Sequence, residues 1–144
     1  MTRILVGLDG SARAPGVLAA AARIAEAQGA KLVLLRCVGL PPDLPQDFWK
    51  TSEEPLLDVL RRRAQAYLDE QAASVRRELV ERTDVALGAP WQAICDTASR
   101  DGAELVVIGS HGYAGLDHLL GTTAAKVVNH CRCSVLVVRP AQRA

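Results

Sequence analysis

Ile4-Leu5-Val6-Gly7-Leu8, closed at once by Asp9-Gly10-Ser11, is the stretch on which the fold turns. An unbroken apolar run of strand length suits a strand buried on both faces, as in a parallel sheet covered by helices. Lys31–Val38 (KLVLLRCV), Glu104–Ile108 (ELVVI) and Ser134–Val138 (SVLVV) have the same character, and Thr83–Leu87 reads as a shorter strand. The segments between them read as helices. Ala12–Gln28 is Ala-rich, with Ser11 as its cap, Pro15 in the tolerated first turn and Gly29 as its stop. Gly16 inside it costs ~1 kcal/mol relative to Ala, which points to close packing there. Leu56–Val80 is amphipathic, and its Arg61-Arg62-Arg63 run reads as a solvated face shared with Asp58 and Glu70. Gly88-Ala89-Pro90 turns into a helix over Trp91–Arg100, ended by Gly102, and Thr122–Cys131 forms the last helix. Gly39–Glu54, with Pro41, Pro42 and Pro45, reads as a loop that Phe48 and Trp49 anchor. Strict strand–helix alternation predicts one α/β domain over residues 1–144, an open five-stranded parallel sheet with right-handed crossovers, the Rossmann-like nucleotide-binding arrangement.

Composition narrows the function. Seventeen Lys+Arg against sixteen Asp+Glu leave a net charge of +1, which argues against a nucleic-acid footprint or a polybasic membrane anchor. Aromatic residues at 3% leave few rings for stacking single-stranded bases. The apolar run after Met1-Thr2-Arg3 is too short for a signal peptide, and no stretch approaches the roughly 20 apolar residues that cross a bilayer. The expectation is a cytoplasmic protein with no nucleic-acid or membrane partner. Cys37 and Cys95 sit in apolar surroundings and read as buried free thiols. Cys131-Arg132-Cys133 is half a zinc motif without its second half.

In open α/β sheets, ligands bind beyond the carboxyl ends of the strands, where the strand order reverses. Four features gather there: Asp9-Gly10 after the first strand, Arg36-Cys37-Val38 closing the second, Gly88 after the third, and Gly109-Ser110-His111-Gly112 after the fourth. Glycines 109, 112, 115 and 121 let backbone N–H groups approach a ligand, and Gly121 directly precedes the Thr122-Thr123 helix start. That placement favours a phosphate seat over a plain connecting loop. No G-x-x-x-x-G-K-[S/T] and no G-x-G-x-x-G after the first strand is present.

Gly109-Ser110-His111-Gly112, Leu119-Leu120-Gly121-Thr122 and Cys133-Ser134-Val135-Leu136-Val137-Val138-Arg139 resemble the C-terminal signature of the universal stress protein family. Ile4 to Ser11 resembles its N-terminal signature, and the Gly88-Ala89-Pro90 turn matches as well, so the resemblance spans essentially the whole chain. It implies a five-stranded parallel sheet flanked by helices, assembled as a homodimer. The family's ATP-binding members carry G-x-x-G-x9-G-[S/T]; here the spacer, Tyr113 to Leu120, is one residue shorter. By position the resemblance implies that Asp9 contacts the nucleoside with Gly7 close by, and that the backbone at Cys37 meets the adenine. Ile108 and Gly109 would line the ribose and phosphate end, while Gly112, Gly121, Thr122 and Thr123 hold the phosphates. The cofactor implied is ATP, with Mg²⁺ carried by phosphate oxygens and water.

Other residues were weighed beside these. His111 is either a phosphate donor or an exposed loop histidine; Asp117 and His118 adjoin but do not face each other on a helical turn. His130, at the end of the last helix, suits a structural role. No nucleophile–base–orienter set is evident, so the expectation is a nucleotide-dependent stress-response module with no catalytic residues and little or no hydrolysis. The alternatives are a nucleotide-free partner-binding protein and a slow ATP-cleaving enzyme. Ser134–Val138, apolar and placed by the resemblance at a sheet edge, is the expected homodimer contact.

Overall fold

The computed structural model describes residues 2–39, 46–110 and 121–140. The chain runs β1 (Arg3–Gly7), α1 (Ala14–Gln28), β2 (Lys31–Val38), α2 (Gln46–Ala73), a 3-10 turn (Arg77–Leu79), β3 (Val80–Leu87), α3 (Pro90–Asp101), β4 (Leu105–Gly109), α4 (Thr122–His130) and β5 (Ser134–Val138). The strands form one parallel sheet in the order β3-β2-β1-β4-β5. The first two crossovers carry the chain outward from β1. The third returns it to the other side of β1, so the order reverses between β1 and β4.

With right-handed crossovers that reversal puts the later helices on the opposite face. The cores record it. Ile4 and Val6 of β1, Leu32 and Leu34 of β2 and Val107 of β4 pack with Val17, Leu18, Ala21 and Ala25 of α1 and Leu68 of α2. Their neighbours Leu5, Val33, Leu35, Val106 and Ile108 face the other way, against Ile94 and Ala98 of α3 and Ala124 and Val127 of α4. Successive strand residues point to opposite faces, and both faces are covered, which is why the central strands read as continuous apolar runs. Burying a side chain such as Leu68 completely contributes about 1.5–3 kcal/mol.

Several elements differ from the sequence reading. α1 begins at Ala14, with Arg13 at the N-cap and no side-chain cap. Ser11 instead sits in the preceding turn: its N–H donates to Asp9 Oδ1 at 2.9 Å, and its Oγ accepts from the Arg13 N–H at 3.2 Å. Gly16 is exposed, and a Cβ there would meet nothing within 4 Å among the described residues, so it marks no close packing. α2 starts ten residues early, at Gln46, within the segment read as a loop, and ends at Ala73. β3 starts three residues early, at Val80, and a bulge opposite Leu32/Val33 takes up the irregularity. Its first residues are charged because they serve the amino end of the sheet. Glu81 pairs with Arg3 Nε at 2.8 Å, and Arg82 Nη2 meets Asp84 at 2.9 Å and Asp101 at 2.5 Å. Cys37 and Cys95 are half-buried rather than buried, as are Cys131 and Cys133. Phe48, Trp49 and the three prolines from 41 to 45 lie outside what can be described of side chains. The Arg61–Arg63 run is exposed, as expected of a solvated face. No described helix is long and apolar enough to cross a membrane.

Candidate functional site

A cavity of about 500 Å³ opens at the carboxyl ends of the strands, over the reversal between β1 and β4. Gly7, Asp9, Cys37, Ile108, Gly109, Gly121, Thr122 and Thr123 all line it, so eight of the nine residues named from the sequence come together. The ninth, Gly112, lies outside the described residues, as do His111, Asp117 and His118.

Each wall has a local cause. β1 ends at Gly7, where a Cβ would sit 3.1 Å from Ile108 Cγ2 and 3.3 Å from Ile94 Cδ1. A side chain at Gly7 would therefore push into the cavity's apolar floor. Asp9 follows, its carboxylate held in a tight turn by the Ser11 N–H. Gly10, at φ +77, makes that turn in the left-handed region that glycine tolerates. A Cβ at Gly10 would also stand 3.2 Å from Arg36 Nη2. The Arg36 guanidinium lies over the Tyr67 ring at 5.8 Å and donates to the Cys37 carbonyl at 3.3 Å. Burial raises the Tyr67 hydroxyl above its ordinary pKa. Burial also pushes the Cys37 thiol up, against the opposing effect of Arg36. The Cys37 thiol donates to the Gly88 carbonyl at 3.3 Å, which links the end of β2 to the turn after β3.

The opposite wall is the start of α4. Gly121 is its N-cap, in extended backbone at φ −65 and ψ 165, and no side chain caps the helix. The Gly121 N–H donates to the Ser110 carbonyl at 2.9 Å, and the Ser110 N–H donates to the Val138 carbonyl at 3.0 Å. The two ends of the glycine loop are thereby pinned together against the end of β5. Ser110 is almost fully buried, and its Oγ has no described hydrogen-bond partner. The first-turn N–H groups of a helix lack acceptors within the helix, so α4 presents donors and the positive end of its dipole to the cavity.

Several lining residues were not singled out from the sequence. Arg13 and Arg36 bring cations to the cavity, and Val17, Leu35, Pro90 and Ile94 supply apolar wall. Arg36 was placed at the end of its strand without a role. Its signal was available, since β2 is otherwise apolar from Leu32 to Leu35. Ile94 had none, because the side of α3 that meets the cavity depends on the crossover. His130 stacks on Trp91 with ring centroids 4.8 Å apart, a packing role at the far end of α4. Among the described residues no group of three His, Cys, Asp or Glu side chains is placed to hold a metal ion.

Comparison with known proteins agrees with this architecture. A family model described as the universal stress protein family matches residues 1–139. A universal stress protein from Thermus aquaticus is 33% identical over 140 residues, covering 94% of this chain and 97% of its own. The structure of universal stress protein UspA from Lactobacillus plantarum superposes with a TM-score of 0.80 at 26% identity, covering 96% of this chain and 97% of that one. A universal stress protein solved in complex with cAMP superposes with a TM-score of 0.64 at 25% identity, with 96% of each chain covered. The chain belongs to the universal stress protein family.

Proposed function

We propose that this chain is a nucleotide-binding stress-response module of a single domain, residues 1–144, that takes an adenine nucleotide, ATP with Mg²⁺, in the cavity over the β1/β4 reversal. The observation that carries this reading is the pairing of Asp9 and Cys37 on one side of the cavity with the Gly121-Thr122-Thr123 helix start on the other. A carboxylate accepts hydrogen bonds from ribose hydroxyls, and the small side chain of Cys37 leaves room for a flat base. Helix-start N–H groups, threonine hydroxyls and the Arg13 guanidinium complement phosphate oxygens. The cAMP complex of a relative supports the adenine class of ligand. Because no acidic cluster stands among the described residues, Mg²⁺ would be held mainly by phosphate oxygens and water, its common mode. The residues around the phosphate end bind and neutralise charge, which fits retention of ATP with little or no hydrolysis.

β5 lies at the edge of the sheet, and Ser134–Val138 is apolar after its first residue. Pairing that edge with a second copy would give a two-fold homodimer. Light scattering at micromolar concentration should then report twice the monomer mass; a monomer counts against the pairing.

The direct test of the binding reading uses protein purified without added nucleotide. Any small molecule released on denaturation is identified by mass spectrometry, and the emptied, folded protein is titrated with Mg-ATP, ADP, AMP and cyclic AMP by calorimetry. Saturable binding near one ATP per chain is the expected result. No heat with any of the four would overturn the reading.

A further inference from the structure

A second cavity, of about 460 Å³, lies at the opposite end of the sheet. Three of the four cysteines line it: Cys95 from α3, and Cys131 and Cys133 from the short segment between α4 and β5. All three are half-buried and reduced, and the cavity gives a small solute access to them. Cys131 and Cys133 pack against the core formed by Ile94, Ala98 and Val127, where α3 and α4 meet. Cys95 and Cys131 line the same cavity from two different elements, and the Cys95 thiol acts on the titration of Cys131. No three of these donors, with or without His130, are placed for a metal ion among the described residues.

We propose that Cys95 and Cys131 form a reversible redox dithiol, oxidised by a small peroxide to a disulfide that ties α3 to the end of α4. In the first step the Cys95 sulfur attacks one oxygen of hydrogen peroxide. The O–O bond breaks, Cys95 becomes a sulfenic acid, and water leaves. In the second step the Cys131 sulfur attacks the Cys95 sulfur, the S–O bond breaks, and the thiol proton leaves with the hydroxyl as a second water. Two thiols are oxidised by two electrons, and one peroxide is reduced to two waters. A dithiol reductant reverses the bond by exchange.

The local structure assigns these roles. Burial pushes the Cys131 thiol up to about 12, the hydrogen bond with Cys95 adds to that, and the neighbouring sulfurs of Cys95 and Cys133 add the rest. Cys131 therefore rests protonated and takes the second, intramolecular step, where proximity compensates for low thiolate content. Cys131 is the C-cap of α4, its N–H still bound to the Val127 carbonyl at 2.9 Å, and the two residues after it are irregular. That irregular segment lies between α4 and β5, so a bond there falls inside neither element. Cys133 directly precedes β5, where a shift would disturb the start of the strand, so it is assigned the bystander role.

The experiment is thiol mapping of the intact, folded protein. After exposure to hydrogen peroxide, remaining thiols are alkylated and the chain is cut with trypsin, which separates Cys131 from Cys133 at Arg132. The expected product joins the peptide of residues 83–100 to that of residues 127–132, is abolished by dithiothreitol, and is lost in C95S and C131S but kept in C133S. A link to the peptide beginning at Cys133, a link between two chains, a sulfinic acid on Cys95, or three thiols still reduced when free cysteine has fully oxidised would each overturn it. If either serine variant fails to fold, the map of the unaltered chain decides.

Discussion

At the carboxyl end of the sheet the cavity is lined by glycines, an aspartate and two threonines; at the amino end a cavity of similar size is lined by three thiols. One helix touches both. α4 begins at Thr122 in the first cavity and ends at His130 and Cys131 in the second. The positive end of its dipole meets the site suited to phosphate, while at its other end burial keeps the Cys131 thiol protonated.

The largest effect that would break this comparison concerns Cys131. With its thiol pushed up to about 12, its thiolate fraction at pH 8 is on the order of 1000-fold below that of an ordinary cysteine. Alkylation of native, reduced protein with iodoacetamide at pH 8 should label Cys131 at least about 100-fold more slowly than a free thiol, and the rate should climb with pH. The sign for stability follows from the same shift. A folded pKa above the unfolded value favours the protonated fold, so this contribution is complete below about pH 9 and is lost as pH rises towards 12. Ordinary labelling at pH 8 would mean that the two ends of α4 do not differ in this way.

Next in size is Gly121→Val. The extended backbone at Gly121 accommodates valine, and valine is a poorer N-cap by roughly 1 kcal/mol, so the variant should fold with a slightly lower melting temperature. Its side chain would stand at the start of α4 beside Thr122 and Thr123. Losing one or two charge-assisted hydrogen bonds of about 1.5–3 kcal/mol predicts ATP binding weakened about 10- to 100-fold by calorimetry. Peroxide oxidation of the far end should be unchanged. Unaltered ATP affinity would remove phosphate from this end of the helix; altered cysteine oxidation would show that the two ends communicate through α4.

How much of this was legible in the sequence follows the same division. β2 and β5 were read to the residue because both faces of the sheet are covered and their runs are continuous. The carboxyl-end site was legible because strand ends and helix starts are marked by Asp9, Gly109 and Gly121, and the topology rule places such marks together. The amino end was not. Val80-Glu81-Arg82 looks unlike a buried strand, since its charges serve Arg3 and Asp101 across the bottom of the sheet. The Cys131-Arg132-Cys133 spacing drew attention to a zinc half-site, while the partner thiol, Cys95, comes from a different helix. Pro41, Pro42 and Pro45 make the first turns of α2 read as a loop, while Leu68 and Ala64 secure its later turns against the sheet.

The smallest effect tests the other end of α1. Gly16 is the third residue of that helix, within its first turn, and a glycine so close to a ligand site invites a functional reading. The structure gives it none: it is exposed, its φ is not positive, and a Cβ would meet nothing within 4 Å among the described residues. Alanine there removes backbone freedom from the unfolded chain and adds no strain to the folded one. Gly16→Ala should therefore stabilise the protein by about 0.5–1 kcal/mol, read by urea denaturation as a higher midpoint at an unchanged slope, with ATP affinity within twofold of the parent. Gly7 is the contrasting position, for its Cβ would press on Ile108 and Ile94 at 3.1 and 3.3 Å. A loss of ATP binding in Gly16→Ala would mean that the ligand extends over the first turn of α1, and the boundary of the carboxyl-end site would move accordingly.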